Sequence, residues 1–576
     1  MKKIMLGNEA VARGLFEAGV RLVSSYPGTP STEITEFAAT YDEIYAEWAP
    51  NEKVAMEVAL GASIAGGRSF CAMKHVGLNV AADPLFIGGY VGVGGGMMIG
   101  VADDPGMFSS QNEQDSRHYA IAAKLPMLEP SDSTECLEFV KAGYDFSEKF
   151  DTPVMLRLNT RIAHSRNAVE LNDRVEHELV DYEKNPAKRV MMPANAKGRH
   201  IVVEARFDEM RAFAENCPFN KITENKGAKI GIITAGPSYN YAREVFGETA
   251  SFYKIGLINP LPTESLKAFA AKYETVYVIE ELDDVIESHC KKIGISCHGK
   301  DLLPLCDEFS QEILREKLLG QKPESSAVET AIPGRPPVLC PGCPHRGMFY
   351  LFKKLGLYVS GDIGCYTLGA LPPLGGMDTT LCMGASISAL HGFNKIRPEN
   401  AKKSIAVIGD STFFHSGMTG LVNTTYNKGV STVVILDNRI TGMTGHQQNP
   451  TSGHTLKGEE FNDISLEEIV LAAGIAKENL RVINPNDLEE AEKALREDLA
   501  KDAPSVIIAR RPCALLKSVK KEQPVRVDPN KCVGCASCMK IGCPCISVIN
   551  KKAVIDTTLC VGCGLCKQMC RLGALS

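Results

Sequence analysis

The segment Ser404 to Gly445, SIAVIGDSTFFHSGMTGLVNTTYNKGVSTVVILDNRITGMTG, opens on an apolar run from Ile405 to Ile408 and returns as a β-branched run from Thr432 to Leu436, with a helix-length stretch between. Neither run alternates. Strands buried on both faces of a parallel sheet read this way, so the pattern predicts a strand, helix, strand unit. The runs break at Gly409-Asp410-Ser411 and at Asp437-Asn438. In such sheets ligands sit beyond the carboxyl ends of the strands, where Asp410 and Asn438 stand.

Toward the N-terminus, Gly7 to Gly19 has apolar residues at helical spacing and runs into a strand-like Val20 to Tyr26. The prolines and glycine of YPGTPS then predict a turn before a new helix, with Ser31 as its N-cap. Asn51 to Ser63 reads as an Ala-rich helix with Glu52 near its start, and Pro153 to Arg157 as the last strand of a first domain. His164 to Lys226 is charged and mixed, helix-like from Asn195 to Glu215, and reads as a connector. A fresh strand and helix alternation starts at Lys229 to Thr234 and ends in a linker, Gly320 to Pro337. A third α/β unit runs from CPGCPH (Cys340 to His345) through GDIGC (Gly361 to Cys365) and the small-residue run Leu381 to Gly392 to a strand at Ser505 to Ala509. The expected domains are therefore 1–165, 166–330, 331–524 and 525–576.

Composition agrees with that count, because 576 residues are too many for one core and suit about four domains. A hydrophobic share of 44% with 23% charged is that of a soluble globular protein. The net charge of −6 leaves no electrostatic footprint for nucleic acid, so no nucleic-acid partner is expected. Leu85 to Ala102 is 18 residues without a charge, near the lower limit for a membrane span, but seven of them are glycine. Glycine costs about 1 kcal/mol relative to alanine in a helix. No membrane span is expected, and the segment reads as a buried, turn-rich stretch whose backbone comes close to a ligand or a subunit. Met1 to Val11 shows no signal peptide.

Nine of the twenty cysteines fall between Cys532 and Cys570. In a long chain of this kind clustered cysteines point to metal and a reducing cytoplasm rather than to disulfides. Cys532-x2-Cys535-x2-Cys538-x4-Cys543-Pro544, followed by Cys560-x2-Cys563-x2-Cys566-x3-Cys570, is the pattern of a two-cluster bacterial ferredoxin. Each trio holds one [4Fe-4S] cube, and the remote fourth ligand crosses to the other. One set is then Cys532, Cys535, Cys538 and Cys570, and the other is Cys543, Cys560, Cys563 and Cys566, with Cys545 left over as a small buried residue. The strand ends supply a second kind of site. Asp410, Asn438 and a nearby backbone carbonyl, that of Ile440, make a hard-oxygen set suited to Mg²⁺, which takes further oxygens from substrate phosphates. Gly409 and Ser411 complete this candidate cofactor-binding set.

GDS followed by DN resembles the thiamine-diphosphate signature, a Gly-Asp-Gly and a later Asn-Asn, with Ser411 and Asp437 departing from it and the metal-holding Asp410 and Asn438 kept. Together with YPGTPS, NEK, GAS, MKHVGLN, CPGCPH and the tail cysteines, it makes the whole chain resemble the thiamine-diphosphate-dependent 2-oxoacid:ferredoxin oxidoreductases, and among them the indolepyruvate-type alpha subunits. The implied fold is multidomain α/β: thiamine-diphosphate-binding folds, a transketolase C-terminal-like domain from Lys229, and a C-terminal α+β ferredoxin domain. The implied reaction is oxidative decarboxylation of an aryl-2-oxoacid with coenzyme A, giving aryl-acetyl-coenzyme A, CO₂ and reduced ferredoxin. The resemblance further implies a smaller beta subunit as partner, with the Leu85 to Ala102 segment a candidate packing surface. It matches Glu52 to the carboxylate that hydrogen-bonds the cofactor aminopyrimidine, with Glu57 in reserve. It also suggests a third [4Fe-4S] cluster on Cys340, Cys343, Cys365 and Cys513, against which CPGC reads equally as a turn with buried thiols. Two other functions stay open, a non-oxidative thiamine-diphosphate decarboxylase and a non-catalytic electron-transfer subunit. The sequence assigns no role to His75, His118, His415 or His446.

Overall fold

A computed structural model of the chain describes residues 1–322, 334 and 336–576, so most of the expected linker from Gly320 to Pro337 lies outside the described residues. The chain divides into two compact units, Met1–Glu329 and Thr330–Ser576.

In the first unit a seven-stranded sheet runs in the order Leu257–Asn259, Met127–Leu128, Val154–Asn159, Met97–Asp103, Ser69–Lys74, Leu22–Ser25, Tyr45–Trp48. All pairs are parallel except the first. The three central strands are buried along their whole length, as unalternating apolar runs demand. From Leu22–Ser25 the chain goes outward to Tyr45–Trp48 and then returns to the other side as Ser69–Lys74, so the strand order reverses between Leu22–Ser25 and Ser69–Lys74. A crevice opens at the carboxyl ends of two such strands. A second sheet, ordered Thr275–Ile279, Ile230–Ala235, Ala250–Ile255, Lys221–Thr223, is parallel but for its last strand. The connector supplies a 22-residue helix, Pro193–Ala214, that buries Val203, Phe207 and Met210.

The glycine-rich stretch differs from its reading as a turn-rich segment. It is a helix, Ala82–Val91, then a tight turn, then the buried strand Met97–Asp103. Its close backbone approach is internal: a Cβ on Gly94 would lie 2.4 Å from the Ser63 carbonyl oxygen, and one on Gly95 2.6 Å from that of Gly66. Only Phe86 and Ile87 leave large apolar area exposed on its helix. Among the described residues no helix is long and apolar enough to cross a membrane.

The second unit is built on a six-stranded, wholly parallel sheet ordered Thr379–Thr380, Tyr358–Gly361, Ser404–Gly409, Thr432–Asp437, Ser505–Arg510, Leu480–Ile483. The two apolar runs are its central strands, buried throughout. Here the order reverses between Tyr358–Gly361 and Ser404–Gly409, which end at Asp362 and Asp410. The crossover after Asp410 includes a widened π turn, Phe413–Gly417, a feature common at functional sites. The ferredoxin-like tail, with its strand pair Ile546–Ile549 and Lys552–Ile555, is not an appendage. Val525, Ile541, Ile546, Leu565 and Leu575 share one apolar core with Phe349, Phe352, Val407 and Leu495 of the large sheet and its helices.

Candidate functional site

Asp410 is buried, and its carboxylate accepts hydrogen bonds from Ser411 N (2.8 Å), Arg439 N (2.9 Å) and Thr451 Oγ1 (3.0 Å). Burial, and then the neighbouring charge of Asp437, push its pKa up to about 7. The side-chain oxygen of Asn438 accepts one long bond from Ile440 N (3.3 Å) but otherwise faces acceptors. It lies where an amide nitrogen would be 3.2 Å from Asp410 Oδ1 and 2.8 Å from the Ile440 carbonyl oxygen. Turning the amide over would satisfy it. A cation would satisfy it equally, because adjacent ligands of an octahedral Mg²⁺ at its usual bond length lie about 3 Å apart. The two departures from the signature have local reasons. Asp437 pairs with Arg510 (2.5 Å), which is also held by Glu467, and Ser411 accepts from Thr441 Oγ1 (2.9 Å). Gly409 is obligatory, since a Cβ there would meet the Tyr366 ring at 2.7 Å. His415 is buried, with Nδ1 2.7 Å from Ser416 Oγ.

Asp362, which the sequence reading passed over, closes the neighbouring strand. It accepts from the backbone of Ile363, Gly384 and Ser386 and so holds the start of the helix Ala385–Ile396. The signal was present in GDIGC, an acidic residue directly after an apolar strand at the reversal point.

Four of the five cysteines of the cofactor domain, Cys340, Cys343, Cys365 and Cys513, gather at the same strand ends. Burial pushes Cys365 up to about 11, with Cys513 and Cys340 adding, and Cys343 up to about 12, with Cys365 and Cys340 adding and Arg346 opposing. Each of these thiols therefore stands in the field of others of the four. Cys513 N donates to the Asn438 carbonyl oxygen (3.0 Å), and its Sγ is 3.8 Å from His446 Nε2. In the tail, Cys532, Cys535, Cys538 and Cys570 line a cavity of about 610 Å³. Cys543, Cys560, Cys563 and Cys566 line a second, together with Cys545, Gly342 and Arg346. Cys570 thus shares a cavity with the first trio, and Cys543 shares one with the second. Backbone N–H groups of Ala553 and Ala574 point at Cys532 Sγ (3.4 Å) and Cys570 Sγ (3.2 Å), contacts of the kind that would tune a cluster held there. Cys545 is buried beside Cys543. Gly342, at φ +71°, brings the CPGC turn against the tail, because a Cβ there would lie 2.2 Å from Val561 Cγ2. Arg346, 2% exposed, donates to the carbonyl oxygens of Leu339, Cys340, Ile541 and Gly542, and among the described residues no carboxylate pairs with it.

In the first unit Glu52 opens the helix Glu52–Ile64, capped by Asn51. It is buried, and a Cβ on Gly77 would lie 2.5 Å from Glu52 Oε1, so the glycine of MKHVGLN makes room for this carboxylate. Glu57 lies on the solvent side, paired with Lys53. Ser31 precedes its helix but does not cap it; in a helical conformation, its hydroxyl turns back to donate to the Gly28 carbonyl oxygen (2.8 Å). His75 is buried with Nε2 3.1 Å from the Asn112 carbonyl oxygen and Nδ1 without a partner. His118 pairs with Asp283 (2.8 Å), half exposed. With Asp115 these two are the one group of three possible single-ion ligands among the described residues, but Asp115 is already held by the Arg117 guanidinium.

Residues 13–215 match the model of the thiamine-diphosphate-binding part of pyruvate flavodoxin/ferredoxin oxidoreductases. Residues 362–509 match the C-terminal binding domain of thiamine pyrophosphate enzymes, and 553–576 a 4Fe-4S binding domain. The chain is 39% identical to the indolepyruvate oxidoreductase subunit IorA of Archaeoglobus fulgidus, across 99% of its own length and 96% of that protein. It belongs to this IorA family. The Pyrococcus horikoshii IorA is similar to the same degree, 39% over 100% of this chain and 96% of its own. The 2-oxoglutarate synthase subunit KorA of Methanothermobacter thermautotrophicus is 26% identical over 48% of this chain and 86% of that one. The chain is accordingly an oxidoreductase subunit of multidomain α/β fold, with thiamine diphosphate and iron–sulfur clusters as its cofactors.

Proposed function

We propose that this chain, with a smaller second subunit, oxidatively decarboxylates aryl-2-oxoacids of the indolepyruvate kind with coenzyme A, releasing aryl-acetyl-coenzyme A and CO₂ and passing the electrons to ferredoxin. The observation that carries this reading is that the carboxyl end of one sheet bears both the converging oxygens of Asp410, Asn438 and Ile440 and a gathering of four cysteines, beside two further cysteine quartets. Bound thiamine diphosphate supplies the nucleophile and electron sink for decarboxylation, and iron–sulfur clusters take up electrons singly. Asp410 and Asn438, with the Ile440 carbonyl, are suited to hold the Mg²⁺ of the cofactor diphosphate. Glu52 is suited to hold the aminopyrimidine by a hydrogen bond. Cys340, Cys343, Cys365 and Cys513 are suited to a third [4Fe-4S] cluster, joined to the second tail quartet across Gly342 and Val561. A decarboxylase without redox chemistry would have no use for these quartets, and a bare electron carrier no use for the strand-end oxygens, so neither alternative is favoured.

The test is turnover of a panel of 2-oxoacids with coenzyme A and a one-electron dye, by the chain alone and with its second subunit. Thioester formation from aryl-2-oxoacids, full only with both subunits, is expected. Aldehyde as the product, with no dye reduced, would overturn the reading.

A further inference from the structure

Lys74 is the last residue of the central strand Ser69–Lys74, at the point where the strand order of the first sheet reverses. It is 9% exposed. Its stem lies against the YPGTPS turn, 3.2 Å from where Gly28 would carry a Cβ, and its Nζ donates to the Ser109 carbonyl oxygen at 2.9 Å. The side chain thus lies across the carboxyl ends of the strands, between the turn that follows Leu22–Ser25 and the loop that follows Met97–Asp103. Among the described residues no carboxylate lies within ion-pair distance of it. Asp104, the nearest strong influence, is taken up by Ser109, Ser110 and Thr160.

Buried lysines are almost always paired, because an ammonium loses its hydration on burial. The other buried lysine of this unit, Lys254, is paired with Glu135. Of the three donors of the Lys74 ammonium only one has a partner here. Burial lowers its pKa to about 8, with Asp104 and Glu52 opposing, so the ammonium form still predominates at neutral pH. The next residue, His75, leaves a second buried polar atom, Nδ1, without a partner. Glu52, whose field Lys74 feels, lies against Gly77, one turn further along the helix His75–Val80. A buried cation that no carboxylate contacts among the described residues, in the crevice of a parallel sheet and near the candidate aminopyrimidine carboxylate, is a built site for a small anion.

We infer that the Lys74 ammonium binds the carboxylate of the 2-oxoacid substrate. The assignment rests on the function proposed above, in which a carboxylate-bearing substrate must be held close to Glu52. The competing anion is a phosphate of coenzyme A, and the test separates the two.

The assembled holoenzyme is compared as wild type, Lys74→Met and Lys74→Arg. Calorimetry measures the binding of 3-phenylpropionate, an aryl carboxylate that cannot decarboxylate, and of its neutral amide, 3-phenylpropionamide. Losing one charge-assisted contact should weaken the carboxylate in Lys74→Met by roughly ten- to a hundredfold, with the amide unchanged and Lys74→Arg close to wild type. The KM for the 2-oxoacid should rise to match, while the affinities for coenzyme A and thiamine diphosphate stay as they were. Equal carboxylate binding by wild type and Lys74→Met overturns the inference, as does a loss confined to coenzyme A. If Lys74→Met does not assemble, Lys74→Gln takes its place, and failure of that variant as well assigns the lysine a structural role and overturns the inference. The calorimetric arm involves no turnover. A wild type that binds the carboxylate through Lys74 but makes no thioester would overturn the proposed function and leave this site standing.

Discussion

Asp410 accepts three hydrogen bonds and faces the Asn438 and Ile440 oxygens, so its loss removes the one formal charge from that converging set. Residues that merely orient metal ligands are worth about ten- to a hundredfold in metal affinity. Asp410→Ala should therefore weaken Mg²⁺-dependent thiamine diphosphate binding at least that much, in a calorimetric titration, with iron–sulfur absorbance intact. Unchanged affinity would remove Asp410 from the site. Glu52→Gln should keep the cofactor but lose roughly a hundredfold or more in turnover, within the range for proton-transfer groups, together with deuterium exchange at the cofactor C2. Normal exchange would move the role away from Glu52. At this scale the sequence was legible where chemistry fixes spacing, since Asp410 and Asn438 do stand together at the strand ends and the tail cysteines line two cavities. It was silent on Lys74, whose meaning lies in a missing partner, and misleading at Ser31, whose hydroxyl takes the Gly28 carbonyl instead of the helix end.

Among elements, the unalternating runs gave the two central strands of the second unit's sheet, because burial on both faces leaves no other pattern, whereas the central strand Met97–Asp103 of the first unit was hidden in a glycine-rich stretch that reads as turns. Periodicity could not show that the tail shares a core with the large sheet, since long-range packing leaves no local trace. That shared core bears on the third cluster. Cutting the chain at Val525 would strip apolar cover from Phe349 and its neighbours, so a single replacement is the cleaner probe. Cys513→Ser should lower the iron content by about four per chain, one cube, if the quartet is occupied. Unchanged iron would return Cys340, Cys343, Cys365 and Cys513 to the role of buried thiols. Arg346 adds a second measurement at this join. It carries a buried charge answered only by carbonyl dipoles, and it borders Cys343 and the cavity of Cys543, Cys560, Cys563 and Cys566. A cluster ligated by four thiolates is anionic and gains a further negative charge on reduction, which a neighbouring cation favours. Arg346→Gln should shift a cluster midpoint to more negative potential in an EPR-monitored titration, and Arg346→Lys should largely restore it. Identical midpoints in all three proteins would leave Arg346 only a clamp on the backbone.

At the scale of the first unit, a network of buried charge ties the two sheets together. Arg117 is held by Asp115 and Glu280, and Arg157 by Asp103 and Glu129, while Glu281 accepts from Asn159 Nδ2 and Phe309 N. These are five carboxylates against two guanidiniums, with Lys300 at the edge, donating to the Glu280 carbonyl oxygen. Burial raises Asp103, Glu280 and Glu281, the last to about 7, as expected where anions outnumber cations away from water. For Glu281 the sign follows from the value of 4.5 it has when exposed. Below that pH both folded and unfolded chains hold the proton, and the group contributes nothing. Between 4.5 and about 7 the unfolded chain releases it while the folded one retains it, so stability falls as pH rises. Above about 7 the penalty is complete, on the order of a few kcal/mol for a shift of this size. Glu281→Gln cannot ionise. Whatever fixed cost the amide brings beside Asn159, the Tm of Glu281→Gln relative to wild type should climb as pH is raised from 5 to 8. A difference independent of pH would show that Glu281 is ionised in the folded protein throughout, and that the arginines balance the network fully.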